Sequence, residues 1–330
     1  MKAGVIGASG YTGSELVRLL SKHPSFNCIQ ATSRRAAGES LASLYPRRTD
    51  ELQITLEEPD LERLRRCDLI FLAVPHGTSM DWVPRLDDGQ RTIVDLAGDY
   101  RISDVDQFET AYQIDHTDRD RLNEFVYGIP ELYEEEIRSA RFIANPGCYV
   151  TSVLLPMIPL VKQDWIEGPV FVDSKSGISG AGRDPSSTTT FMNVNNEIRP
   201  YKIGNHRHQT EMTHHLGRSL DLRFVPHIIS AERGLESAIY AKLKGEITLK
   251  QVRNWVEDWA DPQPLLRYRR EPVGIKAVAR TPFCDLSLTG DDDALIIIST
   301  LDNLLKGAAS QALQNANLAF DLPMETGLVR

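Results

Sequence analysis

The chain of 330 residues has little cysteine, no long apolar run and no excess of positive charge. Its cysteines are scattered without a Cys-x-x-Cys pair, so neither a zinc site nor a disulfide framework is expected for Cys28, Cys67, Cys148 and Cys284. No stretch approaches the roughly 20 apolar residues of a membrane span, and the first strand begins too early for a secretory signal, so we expect a cytoplasmic protein. A net charge of −9 argues against nucleic acid as a partner.

Repeats, low-complexity tracts and a long linker are also missing, and 41% hydrophobic content is enough for a large core in two domains. Strand and helix patterns alternate up to Cys148, which predicts an α/β, Rossmann-type doubly wound domain over residues 1–147. Residues 148–302 contain mostly strand-like segments and predict a second α/β domain with a mixed sheet. The final helical segment, about 303–330, is expected to return to the first domain.

A glycine-rich turn follows the first predicted strand and precedes a predicted helix. The spacing of Gly7, Gly10 and Gly13 is G-x-x-G-x-x-G, one residue away from the usual dinucleotide pattern. Glycines here still allow the backbone to approach a pyrophosphate placed on the helix N-terminal amides, although a plain tight turn is the alternative. The predicted cofactor contacts in this turn are Gly7, Ser9, Gly10, Tyr11, Thr12 and Gly13.

The second predicted strand ends in Ser33-Arg34-Arg35, where an NAD site would place an acidic residue on the ribose. Guanidinium groups pair with phosphate in a fork geometry, so these residues favour NADP(H) over NAD(H). A solvated basic corner is the alternative. Pro75 and His76 follow the next buried strand, at the sheet edge where a cofactor lies in doubly wound folds.

Cys148 stands where the run Asn145-Pro146-Gly147 interrupts an apolar stretch and a helix restarts. Pro146 favours an extended residue before it, and Gly147 permits a sharp bend. The positive end of the helix dipole favours thiolate over thiol, which is typical of a nucleophile. The alternative is a buried structural cysteine.

Two polar segments of the second half could line a substrate pocket. Residues 174–183 are rich in glycine, hydroxyls and cations, which indicates an anion cradle or, alternatively, a flexible surface loop. Residues 199–211 contain His206 and His208, whose spacing also suits a metal site, but no third ligand is near and no metal is expected. A histidine acting as acid and base beside a thiolate is the favoured interpretation.

Together these motifs resemble the N-acetyl-gamma-glutamyl-phosphate reductases of arginine biosynthesis. The matching segments occur in one order across nearly the whole chain: 7–13, 145–149, 176–183, 206–208 and 302–307. The resemblance implies an NADP-binding Rossmann domain and a second domain related to aspartate-semialdehyde and glyceraldehyde-phosphate dehydrogenases. It also implies Cys148 as nucleophile, a histidine base, and a homodimer or homotetramer.

The implied reaction is attack of the Cys148 thiolate on a small acyl phosphate, followed by reduction of the thioester to an aldehyde. His208, or alternatively His206, would act as acid and base. Further cofactor contacts are expected from Ser176, Gly177 and Asn303, although Asp302 or Asn303 could instead cap the last helix. Expected substrate contacts are Asn145, Lys175, Gly180, Arg183, Arg199 and Tyr201.

Departures from the family pattern are Val150, Ser310 and the run 209–212, and none removes a reacting atom. Alternatives are the carrier-linked aminoadipyl or glutamyl phosphate reductases, aspartate-semialdehyde dehydrogenase, and a non-catalytic dinucleotide-binding regulator. The carrier-linked branch tends to have Asn after the cysteine, where this chain has Tyr149. The joint presence of Cys148 and the histidine pair argues against the regulator.

Overall fold

The computed structural model describes residues 1–184, 187, 189–217, 220–291 and 293–329, without the side chains of residues 47–49. This part of the chain divides into two compact units. The first contains residues 1–146 and the chain from Ala308 onward, and the second contains residues 147–307. The chain therefore enters the second unit immediately before Cys148.

In the described residues of the first unit, six parallel strands form one sheet in the order β2-β1-β3-β4-β6-β5. The order diverges from β1, as in doubly wound folds, so the Rossmann-type expectation is confirmed. β3 is buried along its whole length, which explains its continuous apolar sequence, whereas β4 is equally buried but has two apolar residues between Thr92 and Asp95. The strands are β1 (Lys2–Ile6), β2 (Asn27–Thr32), β3 (Leu69–Leu72), β4 (Thr92–Asp95), β5 (Val126–Tyr127) and β6 (Phe142–Ala144).

Helices connect these strands, and α1 illustrates why they form. It begins after Gly10 and packs an apolar stripe containing Leu16 and Leu20 into the core. The helices of this unit are α1 (Tyr11–Leu20), α2 (Leu41–Leu44), α3 (Leu61–Leu64), α4 (Ser79–Leu86), α5 (Val105–Tyr112), α6 (Glu134–Arg138) and α11 (Ser310–Ala319). Short 3₁₀ helices span Pro46–Glu51 and Arg119–Glu124.

The final helix α11 is shorter than the predicted segment 303–330. A π-helical turn, Leu305–Ala309, precedes it, and Pro323 lies shortly after its end, where a proline cannot continue a helix. Arg330, the last residue of the predicted segment, lies outside the described residues.

The second unit contains a mixed sheet in the order β11-β12-β13-β10-β7-β9-β8. The pairs β7–β9 and β11–β12 are parallel and the other pairs are antiparallel, which confirms the predicted mixed sheet. The strands are β7 (Ile166–Gly177), β8 (Ile198–Pro200), β9 (Leu222–Ile229), β10 (Leu235–Leu243), β11 (Leu266–Tyr268), β12 (Cys284–Gly290) and β13 (Leu295–Leu301).

The longest helix of the described chain is α7 (Cys148–Lys162), which is buried on all sides from Tyr149 to Leu160. A helix that is apolar all round is a core helix. The other helices of this unit are α8 (Phe191–Val194), α9 (Arg207–Leu216) and α10 (Leu249–Ala260), with 3₁₀ turns at Ile178–Ala181 and Ile275–Ala277. Within the described residues, no helix combines the length and apolarity needed to cross a membrane.

Three buried serines fix the first turn of α7 on the sheet. The Ser237 Oγ on β10 lies 2.6 Å from the Oγ of Ser152 on α7 and 2.6 Å from the Oγ of Ser174 on β7. Ser152 donates its own proton to the Tyr149 carbonyl, at 2.7 Å. A hydroxyl donates one hydrogen bond, so Ser237 donates to Ser152 and Ser174 donates to Ser237. The helix α7 therefore has one fixed register over β7 and β10.

Candidate active site

Cys148 is the first residue of α7, and its thiol is half-buried. Gly147, the N-cap, has extended backbone angles, φ −70° and ψ 152°, and has no side chain with which to cap the helix. The first-turn amides of α7 therefore face the sulfur's surroundings, and the helix dipole favours the thiolate. This is the environment expected of a reactive cysteine rather than a structural one.

The His208 ring lies against Gly147. A Cβ at position 147 would stand 2.4 Å from the Nε2 of His208 and 2.7 Å from its Cε1, so only glycine leaves room for the imidazole. His208 is in the first turn of α9 and is 8% exposed. The imidazole is thus held against the residue that immediately precedes the candidate nucleophile.

Gly307 packs against Cys148 itself. A Cβ at Gly307 would stand 2.7 Å from the Cβ of Cys148 and 3.2 Å from its Cα. Gly307 belongs to the π-helical turn Leu305–Ala309, and such turns occur often at functional sites. Glycines therefore permit close packing both before the thiol and over it.

His206 and His208 have different environments. His206 is the N-cap of α9, and its Nδ1 accepts the backbone N–H of His208 at 3.1 Å. Burial, together with the cations Arg207 and Lys202, lowers the pKa of His206 to about 3. His206 is therefore a neutral hydrogen-bond acceptor that shapes the first turn of α9.

Aromatic side chains surround the two histidines. The Tyr149 ring centroid lies 5.9 Å from that of His206 and 5.9 Å from that of His208, and Tyr201 lies 5.3 Å from His206. The Tyr149 hydroxyl donates to the His227 carbonyl at 2.8 Å. Burial raises the pKa of Tyr201 to about 12 and also raises the pKa of Tyr149. Both phenols are neutral.

Asn303 links the loop after β7 to the residue that precedes β10. Its Nδ2 donates to the Ser179 Oγ at 2.9 Å, and its Oδ1 accepts the Gly234 N–H at 2.9 Å. A Cβ at Gly180 would lie 3.2 Å from the Ser176 Oγ and 3.7 Å from the Asn303 Nδ2. The structure therefore brings together Ser176, Gly180 and Asn303, three of the predicted binding residues.

Asp302 caps the turn that follows it. Its Oδ1 accepts the N–H groups of Leu304 and Leu305, at 2.8 and 3.0 Å, and also bonds Arg233 at 3.0 Å. Gly177 passes close to the same arginine, because a Cβ there would lie 2.8 Å from the Arg233 backbone nitrogen. Asp302 is therefore the residue that caps this turn. The side-chain amide of Asn303 instead links the segments that contain Ser179 and Gly234.

The predicted cations of the substrate pocket are dispersed. Lys175 pairs with Asp173 at 2.9 Å, and the strand pleat directs it to the face opposite Ser174, whose hydroxyl points toward α7. Arg199 lies on β8 and lines a shallow pocket with Glu197. Arg183 is exposed, in the loop after the 3₁₀ turn. The placement of Lys175 at the substrate is therefore not supported by the pleat of β7.

In the first unit, the three glycines of the turn have two different roles. Gly7 has φ +88°, and a Cβ there would lie 2.2 Å from the Ala73 carbonyl oxygen, while one at Gly13 would lie 2.3 Å from the Gly7 carbonyl oxygen. A Cβ at Gly10, by contrast, would lie 3.6 Å from the Gly7 oxygen, an ordinary contact. The fold itself requires Gly7 and Gly13, whereas Gly10 leaves open space at the start of α1. That space and the first-turn amides fit a dinucleotide pyrophosphate.

Ser33 connects the glycine turn to the end of β2. Its Oγ lies 2.8 Å from the Ser9 Oγ and accepts the Ala36 N–H at 3.2 Å. Arg34 and Arg35 follow, both exposed, with the Arg34 guanidinium 5.9 Å from the Trp82 ring centroid. Exposed guanidinium groups beside the turn fit the phosphate of a phosphorylated dinucleotide.

The remaining predicted residues of this unit have structural contacts. Asn145 accepts a hydrogen bond from Asn315 at 3.1 Å and donates to the Ala308 carbonyl at 3.4 Å, which ties the end of β6 to the chain before α11. His76 packs edge-on against Tyr112, with centroids 5.3 Å apart, and Pro75 is exposed.

The sequence analysis missed two residues at the thiol, Gly307 and Glu211. Glu211 is fully buried, and its Oε1 accepts the Gly147 N–H at 3.2 Å. The signal for Glu211 was its position three residues after His208, on the same face of a helix. No local pattern marks the packing of Gly307 on a residue more than 150 positions away.

Two semialdehyde dehydrogenase families match this chain. The family described as semialdehyde dehydrogenase, NAD binding domain, matches residues 2–140, and the one described as semialdehyde dehydrogenase, dimerisation domain, matches residues 148–303. Together with the open turn at Gly10, the first match identifies the first unit as an NAD(P)-binding domain.

Among solved structures, the fold is similar to that of aspartate semialdehyde dehydrogenase II from Vibrio cholerae, with a TM-score of 0.74, 16% identity, and coverage of 97% of this chain and 98% of that one. It is also similar to aspartate semialdehyde dehydrogenase with NADP from Candida albicans, with a TM-score of 0.68, 17% identity, and coverage of 96% and 99%. These likenesses show the fold.

Curated relatives are more similar in sequence. N-acetyl-gamma-glutamyl-phosphate reductase from Methanosarcina mazei is 42% identical over 99% of this chain and 97% of its own length. The proteins of the same name from Archaeoglobus fulgidus and Desulforapulum autotrophicum are 40% and 39% identical, each over 99% of this chain and 98% of their own length. The chain therefore belongs to the N-acetyl-gamma-glutamyl-phosphate reductase family.

Proposed function

We propose that this protein reduces N-acetyl-gamma-glutamyl phosphate to N-acetylglutamate 5-semialdehyde and inorganic phosphate, with NADPH, through a thioester on Cys148. The observation that carries the chemistry is the contact of the His208 imidazole with Gly147, at the N-terminus of the helix that begins with the thiol. The substrate is inferred from the name shared by the full-length relatives.

The Cys148 thiolate attacks the carbonyl carbon of the acyl phosphate, and phosphate leaves with the electron pair of the broken C–O bond. When bound, the nicotinamide cofactor supplies a hydride. After reduction of the thioester, His208 donates a proton to the oxygen on the former carbonyl carbon. His208 takes this proton back as the thiohemiacetal collapses, which breaks the C–S bond, returns the thiolate and releases the aldehyde. His206 does not exchange a proton in this scheme, because its pKa is about 3.

The cofactor would be held by the turn at Gly10 and by Ser33, Arg34 and Arg35, which favour a 2′-phosphate. Ser176, Gly177 and Asn303 remain proposed contacts of the nicotinamide end. For the acyl phosphate we keep Arg183 and Arg199 as anion-binding groups, with Asn145, Gly180 and Tyr201 as further contacts. Lys175 is left out of this set because the pleat of β7 directs it away from α7.

The experiment is phosphate-dependent reduction of NADP⁺, followed by absorbance, with three aldehydes and with both wild type and Cys148→Ser. N-acetylglutamate semialdehyde is expected to be oxidised, and aspartate and glutamate semialdehydes are not. The variant is expected to lose activity by about 10³-fold or more while still binding NADP⁺. Turnover of aspartate semialdehyde instead would reassign the substrate. Absence of turnover in a folded, NADP⁺-binding protein would favour a carrier-linked substrate or a regulator.

A homodimer through the second unit is part of the same proposal. On the sheet face opposite α7, Phe171 and Tyr240 are direct neighbours on β7 and β10, and they are 52% and 44% exposed. Adjacent exposed rings of this size suit an interface with a second copy. Replacing Tyr240 by Lys is expected to shift the sedimentation coefficient toward that of a single chain. An unchanged value would place the interface elsewhere or favour a tetramer with other contacts.

A further inference from the structure

Two buried aspartates contact one serine hydroxyl at the edge of the first sheet where its strands end. Asp95 is the last residue of β4, Asp99 is in the loop that follows it, and Ser79 is the first residue of α4. All three residues are 0% exposed. The Ser79 Oγ lies 3.1 Å from the Asp95 Oδ2 and 2.8 Å from the Asp99 Oδ2, so the three side chains form one hydrogen-bonded cluster.

The number of protons in this cluster requires one of the two carboxyl groups to be neutral. A hydroxyl donates one hydrogen bond, so Ser79 cannot donate to both aspartates. Asp99 is the ionised one, because its oxygens also accept three backbone N–H groups at the start of α4, where the helix dipole favours a negative charge. These are the N–H groups of Gly77, Ser79 and Met80, at 2.7, 2.9 and 3.2 Å. Ser79 therefore donates to Asp99, and the second contact of Ser79 requires a proton on Asp95.

The contacts of Asp95 also indicate which of its oxygens carries this proton. The Asp95 Oδ1 accepts the Ala97 N–H at 3.0 Å, which leaves Oδ2 to carry the proton and to donate it to the Ser79 Oγ. Burial and the charge of Asp99 raise the pKa of Asp95 to about 8, in agreement with this assignment. At neutral pH, Asp95 is thus a hydrogen-bond donor rather than an anion.

We infer that Asp95 is a positioning residue that acts through its proton. Asp95 donates to Ser79 and Ser79 donates to Asp99, which ties the end of β4 to the start of α4. The loop between β3 and α4 ends at this cluster and contains the predicted cofactor residues Pro75 and His76. Ionisation of Asp95 breaks the first hydrogen bond and places two negative charges beside one hydroxyl, which weakens the attachment of the loop. The effect on the cofactor rests on the proposed function, whereas the proton on Asp95 does not.

The titratable and charged groups that face this cluster come from loops, because β3, β6 and α11, which pack against β4, contain none. They are Asp99, Tyr100, Arg101, His116 and Asp118 after β4, and His76 before α4. Burial and the charge of Asp99 raise the pKa of Asp95 more than Arg101 lowers it. Burial raises the pKa of Tyr100 and lowers that of His116, so both are neutral from pH 7 upward. A change above pH 7 that is lost when Asp95 cannot ionise therefore reports on Asp95.

The test uses Asp95→Asn, whose amide keeps a donor for Ser79 and an acceptor for the Ala97 N–H but has no proton to lose. Asp95→Ala removes both hydrogen bonds. Asp81→Asn is the matched control, because Asp81 is exposed on the same helix as Ser79. Two quantities are measured against pH in the full chain without substrate: the Kd for NADP⁺, by fluorescence titration, and the equilibrium constant of unfolding, by urea titration.

The unfolding experiment counts the proton. Between about pH 5 and pH 7, the folded wild type holds a proton on Asp95 that the unfolded chain has released, so rising pH favours unfolding. The unfolding constant of wild type should therefore rise relative to that of Asp95→Asn by about tenfold per pH unit.

The binding experiment tests the position of the loop. From about pH 7 to pH 9.5, the Kd of wild type for NADP⁺ should rise about fivefold, the effect of one hydrogen bond, and that of Asp95→Asn should stay constant. Asp95→Ala should have the raised Kd already at pH 7. The Asp81→Asn control should follow wild type in both experiments.

A ratio of the two unfolding constants that does not change with pH would show that Asp95 is ionised in the folded protein, and would overturn the inference. Parallel Kd profiles of wild type and Asp95→Asn would overturn the positioning role. If Asp95→Ala does not fold, the isosteric asparagine variant still decides both points. If wild type binds no NADP⁺, the proposed function fails, while the unfolding constants still report the proton on Asp95. The two failures are therefore distinguishable.

Discussion

The helices α1 and α7 begin in the same way and differ in what lies at their N-termini. Each follows a strand and a glycine-containing turn, and each is preceded by a glycine N-cap in the extended region, Gly10 with φ −76° and ψ 165°, and Gly147 with φ −70° and ψ 152°. A Cβ placed on Gly10 would have its nearest neighbouring atom 3.6 Å away, whereas a Cβ on Gly147 would lie 2.4 Å from the His208 ring.

We interpret this difference as one between a ligand-binding helix N-terminus, at α1, and a catalytic one, at α7. The open N-terminus of α1 can receive a negative group from a ligand, since its amides are accessible. The N-terminus of α7 is filled by the protein's own groups: a thiol as its first residue, an imidazole against its N-cap and the Glu211 carboxylate on the N-cap amide. In the proposed function, the same local motif therefore binds a cofactor in one unit and presents a nucleophile in the other.

Substituting Gly147, the glycine packed against His208, should give the largest effect on activity. In Gly147→Ala, the new Cβ would overlap the His208 Nε2, so the ring must move or the turn must shift. We expect kcat/KM to fall about 10²- to 10³-fold, because a displacement of about 1 Å at reacting groups has effects of that size. NADP⁺ binding, measured by fluorescence titration, should be unchanged. Wild-type kcat in this variant would show that the imidazole position does not matter for turnover.

Much of this comparison was accessible from the sequence. The strand–glycine–helix pattern at residues 2–20 and the Asn145–Cys148 interruption are local, and local patterns predict where helices begin. The mixed second sheet was predicted because β7, β9, β10 and β13 are apolar, β-branched or alternating segments.

The parts that stayed open depend on tertiary structure. The orientation of Lys175 depends on the pleat of β7 and on which face α7 covers, which no local pattern states. The choice between His206 and His208 required the α9 cap, because the cap uses the Nδ1 of one ring and leaves the other ring against Gly147. The contact between His208 and Gly147 joins segments distant in sequence.

Near the N-terminus of α1, removing the guanidinium groups of Arg34 and Arg35 should reduce recognition of the 2′-phosphate. For Arg34→Ser with Arg35→Ser, we expect the ratio of kcat/KM for NADPH over NADH to fall about 10- to 100-fold, since charged hydrogen bonds contribute about 1.5–3 kcal/mol each and these side chains are exposed. The NADH value itself should change little. Equal losses with both cofactors would indicate a damaged turn rather than lost 2′-phosphate contacts.

Gly10→Ala should give a smaller effect that is confined to the ligand. The new methyl meets no atom closer than 3.6 Å, so thermal unfolding should be close to wild type, while the methyl occupies the pyrophosphate space. We expect the Kd for NADP⁺ to rise about tenfold, equivalent to about 1.4 kcal/mol. Gly13→Ala is the contrasting control, because its Cβ would lie 2.3 Å from a backbone oxygen and should destabilise the fold by about 1–3 kcal/mol. Unchanged cofactor binding in Gly10→Ala would mean that the α1 N-terminus is not the pyrophosphate site.

Substituting His206 is expected to change activity least, because in the proposed mechanism this residue lies near the N-terminus of α7 without exchanging a proton. In His206→Asn, a side-chain oxygen can still cap α9, and the limbs of the kcat/KM pH profile should stay within about 0.2 units of wild type.

The free energy of unfolding should show the difference between wild type and His206→Asn instead. The pKa of His206 is lowered from 6.5 to about 3, so the folded state disfavours the proton that the unfolded state binds below pH 6.5. The wild type should therefore lose stability as pH falls from 6.5 toward 3, and the variant should lose about 2–3 kcal/mol less between pH 7.5 and 4.5 in urea titrations. A shifted pH profile with equal stability slopes would make His206, rather than His208, the proton-exchanging residue.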